Sequence, residues 1–221
     1  MVISMKIIEL SDVTFGYDEA EPPVLAHFNL AIEKGTCIVI EGDNGSGKTT
    51  LFRIINGLSF PQKGKFLFDG TEITEKYLKD SRNVKLFHKR IGYLFQNPDV
   101  MLFNAKVYDE IAFGPRQMGM AEEEVKRRTQ DCIRIFDLEA LADKAPYHLS
   151  GGQKKKTALA AVMSLNPEVI VLDEPFAGLD QKSQQILTTF IEDLKKAGKT
   201  LLIATHNPDV KEKLADVTIS L

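Results

Sequence analysis

A glycine-rich loop that ends in a lysine and a threonine runs from Gly42 to Thr49, with the spacing G-x-x-x-x-G-K-T. Glycines let backbone N–H groups turn toward phosphate oxygens, and the helix that follows presents its positive N-terminal end. Lys48 adds a full positive charge near the β- and γ-phosphates, and the Thr49 hydroxyl can ligate Mg²⁺. The loop therefore predicts a nucleoside triphosphate site. Kinases, GTPases and many motor proteins share this motif.

Two carboxylates follow an apolar segment in the last third of the chain. Val169 to Leu172 has the composition of a buried strand, and Asp173 and Glu174 come directly after it. In α/β proteins, ligands bind at the carboxyl ends of such strands. We expect Asp173 to hold Mg²⁺, directly or through water, and Glu174 to orient or deprotonate an attacking water. The alternative for Glu174 alone is a solvated residue at the end of a strand.

A third motif, Leu149-Ser150-Gly151-Gly152-Gln153, precedes a segment with helical patterning. Its serine and glycines would form an exposed helix N-terminus, which can bind phosphate. The alternative is an ordinary N-cap, with Ser150 as the capping residue and the glycines as flexible neighbours.

The elements that must position these motifs alternate in type along the chain. The first third has strand and turn patterns, with a buried strand from Cys37 to Ile40 and a helix from Thr49 to Leu58. Val107 to Leu165 is mostly helical, and one helix is predicted from Lys154 to Leu165. The last third combines the strand at Val169 with a helix and a further strand; their predicted ranges are Gln181 to Ala197 and Leu201 to Ala204. This order predicts a parallel α/β core with a helical insertion between two of its strands.

Composition narrows the classes of protein. The 221 residues are 43% hydrophobic, which allows a sizeable core, and the net charge of -3 gives no general reason to expect nucleic acid or an acidic membrane surface as partner. The two cysteines, Cys37 and Cys132, fit a reducing cytoplasm better than a disulfide framework or a zinc site. Met1 to Leu10 lacks the apolar segment of a secretory signal, and no stretch approaches the roughly 18–20 apolar residues that span a bilayer. We therefore expect any membrane role to be exercised from the cytoplasmic side, through another subunit.

The five residues Leu149 to Gln153 resemble the signature of ABC (ATP-binding cassette) ATPases, and the resemblance covers essentially the entire chain. In that comparison Asn44 to Thr49 resembles the Walker A loop, Ile170 to Asp173 resembles Walker B, and Ala177 to Asp180 resembles the D-loop. Gln96 resembles the Q-loop glutamine of the family, and His206 resembles its switch histidine. Tyr17 resembles the aromatic residue that stacks on adenine.

The resemblance implies a single ABC ATPase domain over residues 1–221. It consists of a P-loop NTPase core, an N-terminal antiparallel β subdomain and an inserted α-helical signature subdomain. The predicted boundaries are 1–96 for the β subdomain and P-loop core, 97–165 for the helical subdomain, and 166–221 for the rest of the α/β core.

The implied cofactors are ATP and Mg²⁺, and the implied residues fall into three sets. The catalytic residues would be Glu174, His206 and Gln96. The metal-binding residues would be Thr49, Gln96 and Asp173. The nucleotide-binding residues would be Tyr17, Asn44, Gly45, Ser46, Gly47, Lys48, Thr49, Thr50, Ser150, Gly151, Gly152 and Gln153.

In this family the P-loop of one subunit faces the signature loop of another, so the resemblance implies a second ATPase subunit in a homodimer or heterodimer. The segments Gln96 to Phe103 and Val107 to Pro115 resemble the cobalt/nickel importer and energy-coupling factor ATPases. Their partners are a transmembrane coupling subunit and a substrate-binding membrane subunit, at the cytoplasmic face of the membrane. One departure is Lys156, where many family members have an arginine; the charge is kept but bidentate pairing is not.

Three alternatives stay open at this point. The chain could be a soluble ABC-type ATPase that acts on DNA or ribosomes, although such proteins usually carry a coiled-coil insertion or two fused cassettes. It could serve another class of ABC importer or exporter. It could also be a P-loop kinase, which would leave Leu149 to Gln153 without a role. The sequence does not identify the transported solute.

Overall fold

Two sheets organise the computed structural model, which describes residues 5–18 and 20–221. The first four residues of the segment Met1–Leu10 therefore lie outside the described part of the chain. In chain order, the strands of that part are Lys6–Phe15 (β1), Leu25–Glu33 (β2), Cys37–Glu41 (β3), Lys63–Phe68 (β4), Thr71–Glu72 (β5), Ile91–Leu94 (β6), Val169–Asp173 (β7), Thr200–Ala204 (β8) and Val217–Ser220 (β9).

The first sheet is antiparallel, with the strand order β2-β1-β4-β5. The strand pattern of the first third is confirmed here: on β1 Val13 and Phe15 are buried, and on β2 Leu30 and Ile32 are buried. This sheet is the predicted N-terminal antiparallel β subdomain.

The second sheet is parallel, with the strand order β6-β7-β8-β3-β9. Its central strands are covered on both faces. On β3, Ile38 and Ile40 pack into one hydrophobic core, while Cys37 and Val39 pack into a second core on the opposite face. This double burial explains why the central strands appear in the sequence as continuous apolar runs rather than as alternating patterns.

The helices of the described residues are Lys48–Ile55 (α1), Glu75–Lys79 (α2), Ser81–Arg90 (α3), Val107–Gln117 (α4), Glu122–Ile135 (α5), Gly151–Met163 (α6), Gln181–Lys196 (α7) and Pro208–Leu214 (α8). α4, α5 and α6 lie in sequence between β6 and β7, which are neighbours in the parallel sheet. The predicted α/β fold with an inserted helical region is therefore confirmed. No helix in the described ranges is long and apolar enough to cross a membrane.

Several details differ from the sequence-based prediction. The helix predicted to begin at Lys154 begins at Gly151, because Ser150 and Gln153 form a capping box. The first helix ends at Ile55 rather than Leu58, and Gly57 follows with a left-handed backbone, φ +66°.

The elements not predicted individually include β4, β5, β6, β9, α2, α3 and α8. α2 and α3 are short and highly charged. Phe87 on α3 is buried, whereas α2 buries no side chain, so the apolar periodicity of both helices is weak. Both begin at capping side chains, Thr74 and Asp80.

Candidate nucleotide site

The lysine of the glycine-rich loop is held in place by the loop itself. The loop connects the end of β3 to the start of α1, and Lys48 is the first residue of that helix. Its Nζ donates hydrogen bonds to the carbonyl oxygens of Gly42 and Asp43, at 2.6 and 2.9 Å. Lys48 is 8% exposed and lines an open cavity next to the loop, so its positive charge lies at that cavity.

Two glycines of the loop have backbone geometry that other residues would strain. Gly47 has φ +104°, and a Cβ there would lie 3.0 Å from Val24 Cγ1. Gly42 has φ +151°, and a Cβ there would lie 2.4 Å from Ser46 Oγ. The loop is therefore a backbone cradle in which side chains at these positions would clash.

The first carboxylate, Asp173, lies at the end of β7 and is 2% exposed. Its Oδ2 accepts a hydrogen bond from Thr49 Oγ1 at 2.8 Å and another from the Tyr93 hydroxyl at 3.2 Å. The structure thus brings the predicted metal residues of the loop and of the two-carboxylate strand together.

Tyr93 was not predicted, because a lone tyrosine on a strand carries no recognisable motif. Burial, together with the neighbouring Asp173, raises the pKa of the Tyr93 hydroxyl, so the hydroxyl stays protonated and donates to the carboxylate. Its position on β6, beside the strand that carries Asp173, is set by the fold, so no sequence signal could have located it.

The donor set near Asp173 suits Mg²⁺. It offers the Thr49 hydroxyl and the Asp173 carboxylate, which are in direct contact, and the Gln96 amide, which lines the same cavity. Mg²⁺ prefers oxygen ligands and is usually bound by one or two protein groups, with phosphate oxygens and water completing its shell. The residues present therefore fit the metal.

The second carboxylate, Glu174, is half-buried and has a left-handed backbone, with φ +47°. Its N–H donates to the Ala204 carbonyl of β8 at 3.0 Å, and its Oε1 lies 3.2 Å from His206 Nε2. Burial raises the pKa of the Glu174 carboxyl above the ordinary glutamate value, against the opposing effect of His206. The carboxyl is thus a weaker acid than usual, as suits a group that accepts a proton.

The predicted adenine-stacking residue, Tyr17, is 64% exposed at the edge of the cavity. Its hydroxyl lies 3.1 Å from Thr50 Oγ1, and its ring packs edge-on against Phe15, with the ring centroids 5.1 Å apart. The contacts with Thr50 and Phe15 hold the Tyr17 ring in place, and one face of the ring is available to a flat ligand.

These groups surround one open cavity of about 650 Å³, large enough for a nucleotide. The predicted residues that line it are Tyr17, Asn44, Gly45, Gly47, Lys48, Thr49, Thr50, Gln96, Asp173, Glu174 and His206. Ala177, the first residue of the predicted D-loop, and Val24, which was not predicted, also line it.

The signature residues, Leu149 to Gln153, lie outside this cavity. Ser150, Gly152 and Gln153 line a second cavity of about 390 Å³, together with D-loop residues such as Gly178 and Asp180. Ser150 and Gln153 bond reciprocally in the capping box of α6, as the N-cap alternative predicted. A Cβ on Gly151 would meet nothing within 4 Å, so the helix N-terminus is open to an approaching group.

The family of this chain is identified by its similarity to known proteins. The family model described as ABC transporter matches residues 25–177, which is more than half of the chain. The chain belongs to the ABC transporter ATP-binding family. It is therefore an ATPase, which sets the kinase alternative aside.

Relatives and solved structures extend the comparison. The nickel import ATP-binding protein LarO of Lactiplantibacillus plantarum is 46% identical over 195 residues, covering 88% of this chain and 81% of LarO. The structure of cbiO1 from Clostridium perfringens, described as part of the ABC transporter complex cbiONQ, has a TM-score of 0.83 at 33% identity and covers 97% of this chain and 84% of cbiO1. The predicted resemblance of this ABC ATPase to metal-import cassettes is thereby confirmed.

A second solved structure bears on the nucleotide. The ATP-binding cassette MJ0796, in a dimeric post-hydrolysis state bound to ADP and Pi, has a TM-score of 0.87 at 28% identity. The alignment covers 97% of this chain and 94% of MJ0796. ABC cassettes thus bind ATP and its products in dimers, within the fold that this chain shares.

Proposed function

We propose that this ABC ATPase binds and hydrolyses ATP to power import of a small solute, a transition-metal ion such as cobalt or nickel, or a vitamin. The observation that carries the proposal is the convergence of Lys48, Thr49, Asp173, Glu174 and His206 on one cavity. The metal-ion part is supported by the similarity to LarO, whose name describes nickel import.

The positions of the residues support the roles that the family resemblance implies. Lys48 and the loop amides bind the β- and γ-phosphates, and the Tyr17 ring stacks on adenine. Thr49, Asp173 and Gln96 would hold Mg²⁺, which would neutralise charge on the phosphate oxygens. The Asp173 carboxylate is oriented by the two donors that it already accepts from, the Thr49 and Tyr93 hydroxyls.

Glu174 is assigned to the attacking water. Its carboxylate lies at the carboxyl edge of the parallel sheet, in the same cavity as Lys48, and its raised pKa favours proton acceptance. His206 lies 3.2 Å from that carboxylate and faces the cavity, where it can contact the γ-phosphate. In this proposal the nucleophile and the phosphate are held by Lys48, Glu174 and His206. These residues follow the carboxyl ends of β3, β7 and β8 in that order.

A second cassette completes each site in this proposal. Within one chain, the signature residues Ser150 and Gly152 line a different cavity from the P-loop. The open N-terminus of α6 is suited to receive the γ-phosphate of an ATP bound to another subunit. Because this chain carries one complete P-loop and one complete signature, two copies of the chain suffice to form two sites.

A transmembrane coupling subunit and a substrate-binding membrane subunit are the proposed partners, which would place the chain at the cytoplasmic face of the membrane. Phe103 is 65% exposed, and its ring packs edge-on against the half-exposed Phe113 of α4, with centroids 4.9 Å apart. This aromatic pair is suited to anchor a helix of the coupling subunit. Met101 and Leu102, which precede Phe103 in the chain, are half-buried against the core.

The test combines uptake with pull-down. Cells that lack this chain should lose uptake of one solute among radioactive Ni²⁺, Co²⁺ and a panel of vitamins. Wild type should restore it, and Lys48→Ala should not. Wild-type chain purified from detergent-solubilised membranes should bring integral membrane proteins with it. Unchanged uptake of every solute on the panel would contradict the import function.

A further inference from the structure

A buried lysine outside every assigned motif role contacts the backbone of the catalytic turn. Lys155 lies in the first two turns of α6 and is 7% exposed. Its Nζ donates to the carbonyl oxygen of Ala177 at 2.7 Å and to that of Glu174 at 3.2 Å. One ammonium group thus joins the signature helix to both ends of the turn that follows β7.

The turn that it contacts is under conformational constraint. Glu174 has φ +47°, a left-handed conformation that is uncommon for residues other than glycine, asparagine and aspartate. Such conformations cost free energy and persist where the surroundings fix them. The Glu174 N–H is fixed by the Ala204 carbonyl, and the Glu174 carbonyl accepts from the Ala177 N–H at 3.2 Å as well as from Lys155.

Burying the ammonium group is itself unfavourable, and burial lowers the pKa of Lys155. The two carbonyl acceptors offset that cost only while the turn keeps this shape. The lysine and the turn therefore stabilise each other's geometry.

We infer that Lys155 is a positioning residue for ATP hydrolysis: through the Glu174 and Ala177 carbonyls it fixes the backbone from which the Glu174 carboxylate reaches the attacking water. This inference rests on the proposed role of Glu174. Lys155 does not line the cavity that holds the P-loop residues, so its removal should lower kcat and leave the affinity for ATP unchanged. A displacement of about 1 Å in a catalytic group can cost on the order of 100-fold in rate, so we expect kcat to fall about 10- to 100-fold.

The chain offers a matched control in Lys199. Its Nζ also donates to two backbone carbonyls of a turn, at 2.8 Å to Pro167 and 3.3 Å to Asn166, and burial also lowers its pKa. That turn precedes β7, at the opposite end of the strand from Glu174. Lys199→Met therefore removes the same kind of contact from a place with no assigned catalytic role.

The experiment compares Lys155→Met with Lys199→Met in the full chain. Steady-state phosphate release gives kcat, calorimetric titration with ATP gives Kd, and amide hydrogen exchange of residues 174–180 reports the turn directly. We expect Lys155→Met to lower kcat, keep Kd and speed exchange in that segment. We expect Lys199→Met to lower the melting temperature while kcat stays within about twofold of wild type.

A double variant separates positioning from general destabilisation. If Lys155 acts through Glu174, adding Lys155→Met to Glu174→Gln should slow hydrolysis little further, because the two changes remove one function. Wild-type kcat in Lys155→Met, an equal loss of kcat in Lys199→Met, or fully additive losses in the double variant would overturn the inference. If Lys155→Met does not fold, Lys155→Gln is measured against the same criteria.

Failure of the proposed function is distinguishable from failure of the inference. If Glu174→Gln hydrolyses ATP at the wild-type rate, the proposed role of Glu174 is wrong. If Glu174→Gln stalls and Lys155→Met does not, only the inference about Lys155 is wrong.

Discussion

Replacing Glu174 with glutamine is the most informative single change in this site. Glutamine keeps the shape of the side chain and can still hydrogen-bond to water, but it cannot accept a proton. A general base contributes roughly 10²- to 10⁴-fold to a rate, which is about 2.7–5.4 kcal/mol of barrier at 1.36 kcal/mol per decade. The half-buried carboxylate with a raised pKa supports a full contribution of this kind.

Binding should survive the same change. Lys48 and the loop amides bind the phosphates, and Thr49 and Asp173 are joined by a 2.8 Å hydrogen bond that does not involve Glu174. We therefore expect the Kd for ATP, measured by calorimetry, to change by less than about threefold while phosphate release falls at least 100-fold. Glu212→Gln, on the exposed side of α8, is the matched control and should behave as wild type. Hydrolysis by Glu174→Gln at the wild-type rate would refute the reasoning and leave Glu174 as a solvated strand-end residue.

Other changes test the remaining parts of the account. Lys48→Ala removes a charged donor worth about 1.5–3 kcal/mol, so the Kd for ATP in calorimetry should rise about 10- to 150-fold; an unchanged Kd would contradict the P-loop role. Phe103→Asp should abolish co-purification of the membrane subunits and leave the Kd for ATP unchanged; intact co-purification would rule out this docking site. Because the pKa of Glu174 is raised and the base must be ionised, kcat should fall with decreasing pH at a higher pH than for an ordinary glutamate. Burial raises the pKa of both Cys37 and Cys132 to about 11, so iodoacetamide at pH 8 should label them only after unfolding, as counted by mass spectrometry.

The motifs that carry chemistry were the part of the structure most accessible from sequence. The loop Gly42 to Thr49 follows one buried strand, and Asp173 and Glu174 lie at the end of another, so local pattern alone placed both motifs at one sheet edge. The covering of both sheet faces explains why those strands were easy to recognise.

Short charged elements and long-range contacts were not accessible in the same way. α2 and α3 bury few side chains, so their helical period is faint in the sequence. Tyr93 and Lys155 act through partners 80 and about 20 residues away, and their residue types carry no motif. Only the fold brings the Tyr93 hydroxyl to Asp173 and the Lys155 ammonium to the Glu174 turn.

The separation of the P-loop cavity from the signature cavity makes association the most direct test of the central claim. Static light scattering of Glu174→Gln with ATP and Mg²⁺ should show the mass rise from 24.7 kDa to about twice that value, since ATP joins two chains and is not hydrolysed. ADP should leave the mass at 24.7 kDa, and adding Ser150→Arg should prevent the ATP-dependent rise by placing bulk and charge at the facing helix N-terminus. A mass that stays at 24.7 kDa with ATP bound would contradict the shared site.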